Sequence, residues 1–276
     1  MMMKRKPIAV IKVGGDMVID ASDRLGLAAN IQDLLSAGWQ CVVLHGAGPQ
    51  LSLLQNTHGL VPNKVDGRRI TKQEDLVVVK QALCGEVNVD LVAGLIAGGV
   101  AAFGCHGASG LLIEAAKRPP VDLGGRGVID FGEVGDVVDV NVNLIHLLLD
   151  AGQVPVIASL GVDANGRIFN INADTTVAAV AKALKAKLLI LSTKVGGVFK
   201  DIDDPSSRIS EVTQSSAKAL IQNGIITDGM VPKVEEALAL LEHGVGSVAI
   251  TNASQSGGFL ALASGDDSIG TRIVSE

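Results

Sequence analysis

The chain has 276 residues, a formal net charge of -6 from 23 basic and 29 acidic side chains, and 47% hydrophobic residues. That length and apolar content fill a sizeable core without disulfide or metal staples, while the acidic balance and an aromatic content of 2% exclude a charge-driven or base-stacking grip on nucleic acid. With no Tyr and only Trp39 as tryptophan, the core is expected to be built from Val, Ile, Leu and Ala, and the partner to be a small molecule.

Cys41, Cys84 and Cys105 are odd in number, far apart and without C-x-x-C spacing. They read as buried thiols of a reducing compartment, with no zinc site among them. The apolar segment before Lys12 is too short for a signal peptide, so a cytoplasmic location is expected. From Leu91 to Ile113 there is no formal charge, enough length for a spanning helix. Gly98-Gly99 divides it, however, into a helix from Val87 to Ile96 and a short strand from Val100 to Phe103.

In chain order, Ile8 to Val13 reads as a buried strand closed by Gly14-Gly15, with Lys12 near its tip. A lysine there is costly without an anion, unless it snorkels at the rim. Ser22 to Ala37 is an amphipathic crossover helix ended by Gly38, and Cys41 to Leu44 is the next strand. His45-Gly46-Ala47-Gly48-Pro49 then turns into a helix from about Gln50 to Thr57, a place where backbone N–H groups can face an anion. It is no dinucleotide fingerprint, because Leu51 stands where the third glycine would be.

Lys64 to Thr71 is a polar connection in which one of Arg68 and Arg69 can act as a carboxylate clamp. A helix from Gln73 to Leu83 follows, and Gly85-Glu86-Val87-Asn88 opens the next. Residues 113 to 138 suggest short hairpins, ahead of a helix at about Val140 to Asp150 and a buried strand from Val154 to Ser159. Asn165-Gly166 is a turn and Arg167 to Ile171 a strand. Asp174-Thr175-Thr176 offers N-cap chemistry for the helix through Val177 to Leu184. Asn170, Asn172 and Asp174 thus meet at one corner, either to cap the helix or to hold a polar ligand.

Leu188 to Ser192 is another buried strand, leading to Thr193-Lys194-Val195-Gly196-Gly197. Ser216 to Gln222 is helical, and Asp228-Gly229-Met230-Val231-Pro232-Lys233 opens a helix to Glu242, with Lys233 at the end of the dipole that favours anions. The alternation predicts an α/β fold, a mostly parallel open sheet sandwiched between helices, with ligands at the carboxyl ends of its strands.

With Lys12-Val13-Gly14-Gly15, His45-Gly46-Ala47-Gly48-Pro49, Gly67-Arg68-Arg69-Ile70-Thr71, Asn170-Ile171-Asn172-Ala173-Asp174 and Gly229-Met230-Val231-Pro232-Lys233 in this order, nearly the whole chain resembles the amino acid kinase family. Within it, the likeness is to the branch acting on N-acetyl-L-glutamate in arginine biosynthesis. The resemblance implies transfer of phosphoryl from ATP, with Mg²⁺, to the acceptor's side-chain carboxylate. It also implies that Lys12 and Lys233 flank the transferred group and that Asp174 holds both lysines. Arg69 and Asn170 take the α-carboxylate, Asn172 supports them, and Gly46 and Ala47 present backbone donors to the acceptor. Gly14, Gly15, Gly48, Thr193, Lys194, Gly197 and Lys233 fall to the nucleotide. A lobe over 1–185 binds the acceptor and the second subunit of a homodimer, and a lobe over 186–276 binds ATP. The early first strand implies little inhibition by arginine.

A glutamate side chain, with a reference pKa of roughly 4.3, is already ionised, so the reaction needs charge neutralisation rather than a base. This leaves His45, His58, His106, His146 and His243 as structural residues. Ala47 stands where the family usually has glycine, and Lys194 where it usually has aspartate. The alternatives are a kinase for another acidic amino acid derivative, or a degenerate kinase serving as a ligand-binding regulatory subunit.

Overall fold

Alternate residues of the strand Ile8–Val13 feed two different cores, one on each face of a sheet: Ile8 and Val10 join one, and Ala9, Ile11 and Val13 the other. A strand buried on both faces has to be apolar throughout, which is why this run shows no polar alternation. The computed structural model describes residues 5–65, 67–227 and 230–275. Asp66, Asp228 and Gly229, which the sequence places in the 64–71 connection and ahead of the last long helix, lie outside the described residues, as do residues 1–4.

The central sheet has eight strands in the order Glu211–Val212, Thr271–Ile273, Val248–Thr251, Leu188–Ser192, Ile8–Val13, Gln40–His45, Val154–Ala158 and Ala102–His106. Every neighbouring pair is parallel except Val248–Thr251 with Thr271–Ile273. Parallel strands require crossovers, and the helices supply them on both faces. Ala21–Ser36, Asn88–Ala97 and Gly258–Ala263 cover one face, with Leu27, Ile31, Leu95 and Phe259 fully buried. Val142–Asp150, Ala173–Ala183 and Met230–Glu242 cover the other through Ile145, Val180 and Val234.

A smaller sheet, in the order Ile168–Asn170, Leu160–Val162, Ile113–Lys117 and Gly135–Val140, and a hairpin of Lys64–Val65 with Arg68–Arg69 flank the carboxyl ends of the central strands. The polar connection expected over 64–71 is therefore this hairpin.

Several boundaries differ from the sequence reading. The expected helices 73–83 and 87–96 form one continuous rod: Gln73–Lys80 runs through a π-helical segment, Gln81–Val87, into Asn88–Ala97. Gly85 opens nothing, because it lies inside the π-helical segment that carries the rod through to Asn88–Ala97. The strand expected over 100–103 is Ala102–His106, two residues later, since Gly99 takes φ +85° and Val100 closes the turn on Leu95. The helix expected from Gln50 begins at Gly48, with Pro49 in its first turn. Cys41 and Cys105 are buried, and burial pushes both thiols up to about 12. Cys84 is only half-buried, against expectation. Among the described residues no helix is long and apolar enough to cross a membrane, and the 91–113 stretch is helix, turn and strand.

Candidate active site

Lys12 is the fifth residue of the first strand, in register with Leu44 on one side and Leu191 on the other, so its side chain leaves the sheet at the carboxyl edge. There it meets the start of the helix Ala173–Ala183: Lys12 Nζ lies 3.0 Å from Asp174 Oδ1, with side-chain exposures of 13% and 35%. A lysine this enclosed needs such a carboxylate, and the snorkelling alternative does not apply.

The helix is not capped by Asp174, as its sequence suggested. Asn172 is the N-cap, its side-chain oxygen accepting from the backbone N–H groups of Asp174 at 2.7 Å and Thr175 at 3.2 Å. Asp174, released from capping, is free to face Lys12.

The two glycine-rich turns pack against each other beside this pair. A Cβ on Gly15 would fall 2.6 Å from Gln50 Oε1 and 3.1 Å from the Gly48 nitrogen, and one on Gly46 would fall 3.3 Å from Ala173 Cβ. A side chain at Gly15 would displace the Gln50 amide and crowd the Ala47 and Gly48 backbone. Gln50 Nε2 ties the turns by donating to the Gly15 carbonyl at 2.7 Å. Ala47, where glycine is usual, sits at φ -140°, ψ 35°, a backbone conformation open to alanine, and its methyl is buried.

Lys12, Gly14, Gly15, Gly46, Ala47, Gly48, Arg69, Asn170, Asn172 and Asp174 all line one cavity of about 300 Å³. Arg69 is held on its wall by donating to the side chain of Gln55 and, at 2.9 Å, to Ser52 Oγ. Gln55 in turn donates to the buried Asp75 at 2.5 Å. Burial lowers the Arg69 pKa, and the charge of Asp75 opposes that shift. Asn170 Nδ2 donates to Thr71 Oγ1 at 2.9 Å, joining the arginine hairpin to the small sheet.

Lys233 lines an adjoining cavity of about 780 Å³ together with Asp174, Arg68 and Glu236. The carboxyl of Glu236 is pushed up by burial and by Asp174, against the pull of Arg68 and Lys12. Three lysines (Lys12, Lys64, Lys233) and three arginines (Arg68, Arg69, Arg118) thus face these cavities against four carboxylates (Asp16, Asp174, Glu235, Glu236), which suits an anionic occupant.

Thr193, Lys194 and Gly197 follow the neighbouring strand Leu188–Ser192 at the same sheet edge, but they line neither cavity. The Thr193 hydroxyl accepts from Gly196 N–H at 3.1 Å, and Lys194 is exposed.

His45 is fully buried. Its Nε2 faces Asn88 Nδ2 at 2.9 Å and its Nδ1 the Gly46 carbonyl at 3.3 Å, so the neutral tautomer with the proton on Nδ1 satisfies both. Burial drives its pKa down to about 4, against the Gly46 hydrogen bond. The imidazole steadies the turn and stays uncharged.

A family model described as the amino acid kinase family matches residues 7–252. The chain belongs to the amino acid kinase family. Among members of that family, the acetylglutamate kinase of Anaeromyxobacter sp. strain Fw109-5 is 40% identical over 96% of this chain and 98% of its own. The acetylglutamate kinase of Methanocaldococcus jannaschii is 38% identical over 97% and 90%. A solved protein from Streptococcus mutans UA159 superposes with a TM-score of 0.76 at 32% identity, covering 98% of this chain and 99% of that one.

The sequence reading did not single out Gln55, Asp75, Arg118 or Glu236. Gln55 and Asp75 sit on apolar helix faces, where a polar residue breaking the pattern was the available signal. Glu236 falls one helical turn after Lys233, a spacing that puts both on one face. Lys117-Arg118 offered only an adjacent charge pair, with no indication of which member turns inward.

Proposed function

We propose that this chain transfers the terminal phosphoryl group of ATP to the side-chain carboxylate of N-acetyl-L-glutamate, giving an acyl phosphate and ADP in arginine biosynthesis. The observation that carries this reading is the Lys12–Asp174 pair beside two closely packed glycine turns, with Lys233 lining the adjoining cavity together with the same aspartate.

The acceptor carboxylate is ionised at neutral pH and attacks without a base. Its approach to a phosphate is opposed by charge, and Lys12 and Lys233 neutralise both anions while Asp174 fixes them. Backbone donors at Gly46 and Ala47 orient the attacking carboxylate, and Arg69 with Asn170 holds the α-carboxylate while Asn172 keeps the corner rigid. Gly14, Gly15 and Gly48 keep the backbone open to phosphate oxygens at the cavity wall. Thr193, Lys194 and Gly197 take the nucleotide at the adjacent strand end.

Among the described residues no group of three His, Cys, Asp or Glu side chains forms a metal cage. Mg²⁺ entering with the nucleotide would supply further charge neutralisation at the site. Acceptor binding belongs to residues 1–185 and nucleotide binding to residues 186–276. We assign the protein to the cytoplasm and to a homodimer closed at the Ala102–His106 edge, which among the described residues pairs on one side only, with Val89, Ile96, Phe103 and Leu147 exposed on this strand and on nearby helices.

Coupled ADP release with N-acetyl-L-glutamate, L-glutamate, L-aspartate and carbamate tests the reading. Turnover confined to N-acetyl-L-glutamate is expected, and its absence with that acceptor would sink the assignment.

A further inference from the structure

Arg118 follows the strand Ile113–Lys117 and is 7% exposed, yet it lines the cavity that holds Lys12, Arg69 and Asn170. Its Nε and Nη2 donate to Asp136 Oδ1 at 2.9 and 2.5 Å, and the Phe131 ring centre lies 5.8 Å from Cζ. These contacts hold one edge and one face of the guanidinium. Among the described residues Nη1 donates no hydrogen bond, and a largely buried arginine with a spare donor on a cavity wall is a feature that asks for an acceptor. The Arg118 backbone donates to Val134 O at 2.9 Å, and Val134 bridges to Asn170, so Arg118 and Asn170 share the same floor.

We propose that Arg118, through Nη1, binds the N-acyl carbonyl of the acceptor and is the residue that rejects the free amino acid. The inference rests on the proposed reaction. With the side-chain carboxylate at Lys12 and the α-carboxylate at Arg69 and Asn170, the amide is the remaining polar group of the acceptor. Arg118 is already paired with the carboxylate of Asp136, which suits a neutral carbonyl better than a further anion. An unacylated acceptor would bring an α-ammonium to the same place, where it offers no lone pair and meets a like charge in a site of low dielectric.

Calorimetry on the full chain with N-acetyl-L-glutamate and L-glutamate, alongside steady-state kinetics, tests this. Arg118→Met is expected to weaken N-acetyl-L-glutamate binding about 10- to 100-fold, the loss of one hydrogen bond from a charged donor. KM for ATP stays within about twofold, and the preference over L-glutamate shrinks by the same factor as the binding. Arg118→Lys recovers part of that preference. Asp136→Asn keeps an oxygen for Nε and Nη2 and retains the preference. Should Arg118→Met fail to fold, Arg118→Gln is measured in its place, with the same expectation.

Unchanged binding of N-acetyl-L-glutamate in the variant, or an equal loss in Asp136→Asn, would overturn the inference and leave Arg118 a strut between strands. So would a wild-type protein with no preference for the acylated ligand. Wild-type binding of N-acetyl-L-glutamate without phosphoryl transfer would instead defeat the reaction, and the variants would still decide the role of Arg118.

Discussion

Lys12 and Asp174 meet at 3.0 Å because a parallel strand and the helix of a later crossover deliver their ends to the same sheet edge. The contact joins the two motifs that the proposed phosphoryl transfer requires. Lys12→Ala is expected to lower kcat by about 10²-fold or more, the effect of losing a preformed charge-stabilising donor. Asp174→Asn keeps the shape and removes the charge, so kcat falls while KM for each substrate changes little. Steady-state kinetics on both variants check this, and an unchanged kcat in Lys12→Ala would defeat the mechanism.

Asn172 separates capping from ligand binding. Because its oxygen accepts two helix N–H groups, Asn172→Ala is expected to destabilise the protein by about 1 kcal/mol, and Asn172→Ser to restore most of that loss. Denaturant melts of the two variants provide the comparison. A stability equal to wild type in Asn172→Ala would show that the cap carries no weight.

The central strands and the order of the motifs were legible in the sequence because buried parallel strands are unbroken apolar runs, and Leu188–Ser192 matches its expected bounds. The 81–87 segment was not, since a π-turn alters hydrogen bonding without altering composition. At the site, Lys12 announced itself as a charge in an apolar strand. Local sequence alone did not divide the jobs of Asn172 and Asp174, because either side chain makes a good cap; the family resemblance gave Asp174 to the lysines, and the backbone geometry makes Asn172 the cap. Arg118 was illegible for a related reason: the turn of chain after Lys117 decides which of two adjacent charges enters the cavity.

Ala47 tests whether a departure from the family pattern matters. At φ -140° the position does not require glycine, and the backbone N–H is kept. Ala47→Gly should leave kcat within about twofold while lowering stability by roughly 1 kcal/mol, through a lost buried methyl and a freer unfolded chain. A large gain in kcat would show instead that the methyl obstructs the site.

His45 sets a pH dependence of stability. Its pKa is about 4 in the fold and roughly 6.5 in the unfolded chain. Between those values the unfolded chain binds a proton that the native protein refuses, so its contribution is complete above pH 6.5 or so and is lost as pH falls towards 4. The slope approaches about 1.4 kcal/mol per pH unit inside that window. Denaturant melts across the window should show a shallower acid decline in His45→Gln than in wild type. Parallel declines would place the titrating group elsewhere.

The most direct measurement of the central claim is trapping of the product. With MgATP, N-acetyl-L-glutamate and hydroxylamine, the wild-type chain should form the γ-hydroxamate in step with ADP, and Lys12→Ala should form almost none. ADP release without hydroxamate, or hydroxamate at wild-type rate in Lys12→Ala, would contradict the account.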